Sequence, residues 1–106
     1  MKIHETFYEF EMKDIIWVLT DFIKSYRESE KMNIDYTLEL DGVLGQYNLD
    51  VYIYARNEKE QTLTYKYTFD YPAKVMDIYD VLTNVNDDII YYLYSKHICE
   101  MRRNII

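Results

Sequence analysis

The side chains able to do chemistry are few, and their spacing groups them poorly. Cys99, His4 and His97 are the whole supply of soft metal ligands and neutral bases. A zinc site needs four such ligands, or three and a water. His97 and Cys99 stand two apart on what reads as a helix, so they point to different faces. Ser95, Lys96 and His97 are consecutive, and helix geometry turns them away from one another, so no nucleophile is paired locally with a base. Cys99 has Arg102 and Arg103 nearby, the positive surroundings a reactive thiol requires, but its expected role is a small core residue. His4, near a terminus, is expected in solvent. Gly42 and Gly45 are the only glycines and neither opens a helix, so no phosphate-cradling loop exists. The 19 acids leave a carboxylate-only Mg²⁺ site open, although no stretch has EF-hand spacing. No catalytic group, metal site or cofactor is assigned, and an enzyme is not expected.

The elements that would position these groups are legible from periodicity. Thr6 and Glu9 fit a capping box, predicting a helix from about Phe7 to Glu30. Its apolar stripe is Tyr8, Met12, Ile15, Ile16, Leu19, Phe22, Ile23 and Tyr26. The middle of the chain alternates with period two. Ile34, Tyr36, Leu38 and Leu40 form one inward set, Tyr47, Leu49, Val51, Ile53 and Ala55 a second, and Leu63, Tyr65, Tyr67, Phe69 and Tyr71 a third. Asp41-Gly42 signals a hairpin, with Gly45 allowing a longer loop, and Arg56 to Gln61 a polar turn. Pro72 is expected at or just before the start of a last helix, which runs on from Val75 through Ile78, Leu82, Val85, Ile89 and Leu93. Asn84 to Asp88 is a weak spot in it, because Asn and Asp favour caps over helix interiors. The expected fold is α+β in the order α-β-β-β-α. A three-stranded antiparallel meander has its N- and C-terminal helices packed on one face, in a single domain over residues 1–106.

Composition narrows the function classes. Hydrophobic residues make up 49% of the 106 and aromatics 17%, with 13 Tyr, which is incompatible with disorder. One cysteine rules out an intramolecular disulfide and favours a reducing compartment. The first residues carry acids where a signal peptide needs an apolar stretch. The longest apolar run, Ile89 to Tyr94, falls well short of the roughly 18 residues of a membrane span. A cytoplasmic location in a bacterial host cell is expected, without membrane association. The scarcity of Gly, Ala and Pro beside abundant Ile, Tyr, Asn and Lys suits an A/T-rich genome, such as that of a low-GC bacterium or its phage.

Formal net charge is −7 and is unevenly placed, with −7 in residues 32–88 and +2 in residues 89–106. Such a block repels phosphate backbones, so direct nucleic-acid binding is not expected, whereas a basic protein surface suits it. The same charge also keeps a small protein soluble.

Three features exceed what a bare scaffold needs. Trp17 lies about 180° from the apolar stripe of the first helix, with Phe10 on the same outward face and Lys13, Asp14, Thr20 and Asp21 around it. Asp77, Asp80, Asn84, Asp87 and Asp88 share one wedge of the last helix and spread four carboxylates over about 16 Å. Asp35 and Glu39 lie about 13 Å apart on the polar sheet face, where Tyr52 and Tyr54 are also expected. Such rows imitate the phosphates of a nucleic acid, although a solvated helix face has the same composition. The third feature is the run Ile89 to Tyr94 followed by Ile98, apolar nearly all round. Self-association through Ile90, Tyr91, Tyr94 and Ile98 as a homodimer is its simplest solution.

These features lead to an expected function in protein–protein interaction. The chain is expected to be an inhibitor that occupies a basic or nucleic-acid-binding surface of a partner protein. It is similar in kind to small phage-encoded inhibitors, anti-CRISPR proteins among them, a likeness of style that rests on no specific residues. Two other readings stand beside it: a homo-oligomeric structural or regulatory domain, and a cytoplasmic immunity or antitoxin protein neutralising a basic nuclease.

Overall fold

The computed structural model of the protein describes residues 9–54 and 63–105. Along these residues the elements are β1 (Glu9–Phe10), α1 (Met12–Ser29), β2 (Ile34–Asp41), β3 (Gln46–Ile53), β4 (Leu63–Asp70), β5 (Ala73–Lys74) and α2 (Val75–Ile105). Strands β2, β3 and β4 form an antiparallel sheet with β3 in the centre, and β1 and β5 form a separate two-stranded ladder. The register stacks Ile34, Ile53 and Leu63, then Tyr36, Val51 and Tyr65, then Leu38, Leu49 and Tyr67, then Leu40, Tyr47 and Phe69. All twelve share one face because side chains alternate along a strand.

Both helices cover that face. Ile15, Leu19 and Ile23 of α1 and Ile78, Val81, Val85 and Ile89 of α2 join Tyr47, Leu49, Val51 and Ile53 in one core. At its centre Tyr47 stacks on Phe69, with ring centroids 5.0 Å apart. Burial of each large aliphatic residue contributes about 2 kcal/mol, which is how a chain this short folds without a staple. This is the α+β arrangement that the hydrophobic pattern predicts.

Three local differences from the sequence-based expectation have physical causes. The first helix begins at Met12, not Phe7, because Glu9 and Phe10 pair with Lys74 and Ala73 as an antiparallel ladder. The expected Thr6–Glu9 box fails at Glu9, and Thr6 lies outside the described residues. The helix is capped instead at Glu11, whose backbone N–H donates to the Asp14 carboxylate at 3.2 Å. The Asn84–Asp88 stretch does not break α2, which runs unbroken for 31 residues. Its polar side chains find tertiary partners in place of the backbone: the Tyr26 hydroxyl donates to Asn86, and the Tyr67 hydroxyl to Asp88. Leu40 and Tyr71, expected inward, are 40% and 48% exposed at the hairpin end of the sheet. The Tyr71–Pro72 peptide bond is cis, and two residues of β5 separate Pro72 from α2. Ala55 and the polar turn from Arg56 to Gln61 lie outside the described residues.

Helix α2 is longer than the sheet beneath it. Its length is about 46 Å at 1.5 Å per residue, against about 27 Å for an eight-residue strand. Its last fully buried side chain is Ile89, and Lys96, His97, Ile98, Cys99, Met101 and Arg102 are all exposed. The C-terminal turns therefore project beyond the body.

Candidate binding surfaces

Trp17 stands where the α1 wheel puts it. Burial of Ile15, Leu19 and Ile23 turns the opposite face to solvent, leaving Trp17 72% exposed and Ile16 43% exposed. Phe10 does not share this face. It sits in β1, half-buried against the core, because its strand pairing removes it from the helix. The polar rim of Trp17 is partly engaged elsewhere: the Thr20 hydroxyl bonds the Tyr36 hydroxyl at 2.7 Å, and Lys13 pairs with Glu11 at 3.3 Å.

The sheet face away from the helices carries the second set. Cross-strand rows there are Asp35–Tyr52–Thr64, Thr37–Asp50–Lys66, Glu39–Asn48–Thr68 and Asp41–Gln46–Asp70. Asp35 is neutralised by Arg27 at 3.1 Å, an arginine whose Nε also donates to the Ile34 carbonyl. Tyr52 is half-buried and its hydroxyl lies 3.2 Å from that of Thr37, while its ring stacks on Tyr54 at 6.4 Å. Tyr54, just past β3, is 38% exposed. Asp50 pairs with Lys66 at 3.4 Å, and Asp41 accepts the backbone N–H groups of Val43 and Leu44. Glu39 and Asp70 have no ion pair among the described residues.

The expected carboxylate wedge on the last helix divides by role. Asp77 takes the backbone N–H of Lys74 at 2.9 Å and so caps the start of α2. Asp88 is half-buried and accepts the Tyr67 hydroxyl at 2.6 Å. Burial first, then that hydrogen bond, pushes the Tyr67 phenol far above its usual range. Burial likewise raises Tyr26, with Glu30 and Asp87 adding to it, and Tyr65, with Asp88 adding to it. Asp80 and Asp87 are exposed. Between β4 and α2 runs a groove of about 380 Å³ lined by Thr68, Asp70, Asp77, Asp80 and Asn84 among others. Asp70 belongs both to this groove and to the outer sheet face. An acidic band of Asp70, Asp77 and Asp80 therefore lines the β4 edge, while Glu39 stands on β2, at the far edge of the outer sheet face, with the neutral Asn48 and Thr68 in its row. Trp17 lies on α1, which packs along β2, whereas Asp70, Asp77 and Asp80 lie at the β4 edge.

The last set stays exposed. Ile90, Tyr91, Tyr94 and Ile98 are 53%, 73%, 65% and 38% accessible. Cys99, expected in the core, is exposed because α2 has left the sheet by that turn. The sequence reading missed the hairpin tip, where Val43 is 96% and Leu44 67% exposed. The available signal was an apolar pair inside a turn whose tip must face solvent.

Among the described residues no polar or charged side chain is buried, and no three His, Cys, Asp or Glu converge where they could hold a metal ion. Among those residues no helix is long and apolar enough to cross a membrane. An open hollow of about 650 Å³ beside the end of α1 has Arg27 and Asp35 in its wall, already paired with each other. Fold and surface together define an α+β domain with an apolar interior and its carboxylates, free thiol and aromatic anchors on the outside. No family model, no curated protein and no solved structure matches the chain.

Proposed function

We propose that this chain is a protein-binding module that seats its acidic band on a basic surface of a partner protein and thereby blocks that surface. The supporting observation is the meeting of Asp70, Asp77 and Asp80 in one groove at the β4 edge, with Glu39 on the same outer sheet face as Asp70. None of the four carboxylates has an ion pair among the described residues, and one of them, Asp77, caps a helix. Packing does not require carboxylates at Glu39, Asp70 or Asp80, and together they set up a field that steers a cationic partner and rejects an anionic one. Asp35 and Asp88, engaged with Arg27 and Tyr67, help to hold the scaffold that presents the band. Trp17, on the solvent face of α1, is a separate anchor.

The test is capture of bacterial lysate proteins on the immobilised chain at about 50 mM and about 500 mM salt, where exposed charges are screened within roughly 4–14 Å. A Glu39→Gln, Asp70→Asn, Asp80→Asn variant serves as the control. A basic protein recovered at low salt, lost at high salt and lost with the triple variant supports the reading. Equal recovery by wild type and variant overturns it.

A further inference from the structure

The apolar stripe of α2 changes sides along the helix. In the first half Ile78, Val81, Val85 and Ile89 are buried against the sheet, while Asp80 and Asp87 face outward. At 100° per residue, the buried stripe continues through Tyr92, half-buried against the core, and then reaches Lys96 and Cys99, both exposed. The apolar residues of the second half, Ile90, Tyr91, Tyr94, Ile98 and Met101, lie on the opposite, outward side. Among the described residues none of the five belongs to the core or packs against it.

Their spacing is that of a helix seam. Tyr91, Tyr94, Ile98 and Met101 alternate at three and four residues, and position 105 is again Ile. A 3.5-residue apolar repeat on one face is the pattern by which two helices pack side by side. Exposures of 53%, 73%, 65%, 38% and 49% for Ile90, Tyr91, Tyr94, Ile98 and Met101 leave a large uncovered area. At about 200 Å² per large side chain it amounts to roughly 550 Å² per copy. Two copies together reach about 1,100 Å², just above the roughly 1,000 Å² a biological interface needs and at the weak end of the range.

The charges select the occupant and its direction. Acids Asp77, Asp80, Asp87 and Asp88 occupy the first half of α2, whereas Lys96, Arg102 and Arg103, with the single acid Glu100, occupy the second. A parallel pair sets Arg102 beside Arg102, while an antiparallel pair brings each Arg102 toward the other copy's Asp87. We infer that a second copy of this chain docks antiparallel along the outward face of α2, with Tyr91 packing on Met101 and Tyr94 on Ile98 of the other copy. Arg102 then lies about one helical turn from the level of the other copy's Asp87. The inference goes beyond the proposed function: the outer sheet face and β4 edge stay free, so the dimer presents two acidic bands.

Sedimentation equilibrium of the full chain up to about 200 µM tests the pairing, a range that reads affinities around and below 10⁻⁴ M. The expected mass is twice 13.0 kDa for wild type, and 13.0 kDa for Tyr94→Glu, Ile98→Glu with its far-ultraviolet circular dichroism unchanged. A wild type that stays at 13.0 kDa overturns the inference, as does a folded variant that still dimerises. Direction is read by spin labels on Thr83→Cys in a Cys99→Ser background. Antiparallel pairing centred near residue 96 places the labels about 40 Å apart, and a separation under about 20 Å means a parallel pair and overturns the inference.

Discussion

Replacing Tyr67 by Phe separates two effects that the Tyr67–Asp88 contact combines. The hydroxyl donates to a carboxylate at 2.6 Å in a half-buried site. A hydrogen bond to a charged acceptor contributes about 1.5–3 kcal/mol, and partial exposure favours the lower end, so Tyr67→Phe costs about 1.5 kcal/mol at neutral pH. The second effect appears only in alkali. Below about pH 10 Tyr67 holds its proton in both folded and unfolded chains and adds no pH dependence. Above it the unfolded chain loses that proton while the folded chain, with its phenol pushed up by burial and by Asp88, retains it. The unfolded state then binds fewer protons than the folded one, so stability falls as pH rises, by about 1.4 kcal/mol per unit for this one group. Tyr26, Tyr47 and Tyr65 are raised in the same direction and add their own loss to both proteins. The variant lacks one of the four contributions. Its deficit of about 1.5 kcal/mol at pH 7.5 should therefore close by about pH 11. Urea unfolding followed by circular dichroism at intervals between those pH values measures both curves. A deficit that stays constant across the range refutes the reasoning, because Tyr67 would then titrate alike in both states.

Three further substitutions test the core and the hairpin. Ile89→Ala removes a side chain with no exposure at the end of the buried stripe. The expected loss is about 3 kcal/mol, or roughly 15 °C in the melting midpoint by calorimetry. Gly45→Ala meets nothing closer than the Tyr71 carbonyl oxygen at 3.8 Å, so its cost comes from φ +65 alone, about 1 kcal/mol. Gly42→Ala, with nothing within 4 Å, should be near neutral in the same urea titration.

The sheet and both helices were legible because their signals are local. Period-two alternation over Gln46–Ile53 can be met in only one register when a single face is buried, and the structure uses it. The start of α1 was not legible. Glu9 and Phe10 fit a helical pattern, and only the ladder to Lys74 and Ala73, more than sixty residues away, decides otherwise. Phe10 changed surfaces for the same reason. Asn84 to Asp88 misled because helix propensity prices these residues against solvent, whereas Asn86 and Asp88 each meet a tyrosine from another element. The acidic wedge was visible as a row of charges, but its division was not. That Asp77 caps, Asp88 is held by Tyr67 and Asp80 is left over follows from tertiary contacts that a helical wheel does not contain.

The leftover groups follow a pattern that bears on function. Asp41 fixes the β2–β3 turn by accepting two backbone N–H groups, and Tyr71 donates its own N–H to the Gly45 carbonyl at 2.9 Å. The turn is thus held from both sides while its tip presents Val43 and Leu44 to water. Helix α2 is likewise held through Ile89 and then presents an apolar seam on its free side. A protein under pressure only to fold gains nothing from apolar side chains at either place, because each stays hydrated and favours association. A helix that continues past its last buried contact also depends on something beyond itself, since isolated turns are marginal in water. Rigid backbone presenting hydrated apolar side chains, beside carboxylates without ion pairs, is the physical condition of a surface that binds. The polar groups engaged by the fold and the ones left over are therefore different residues, and substitutions can separate folding from the proposed binding.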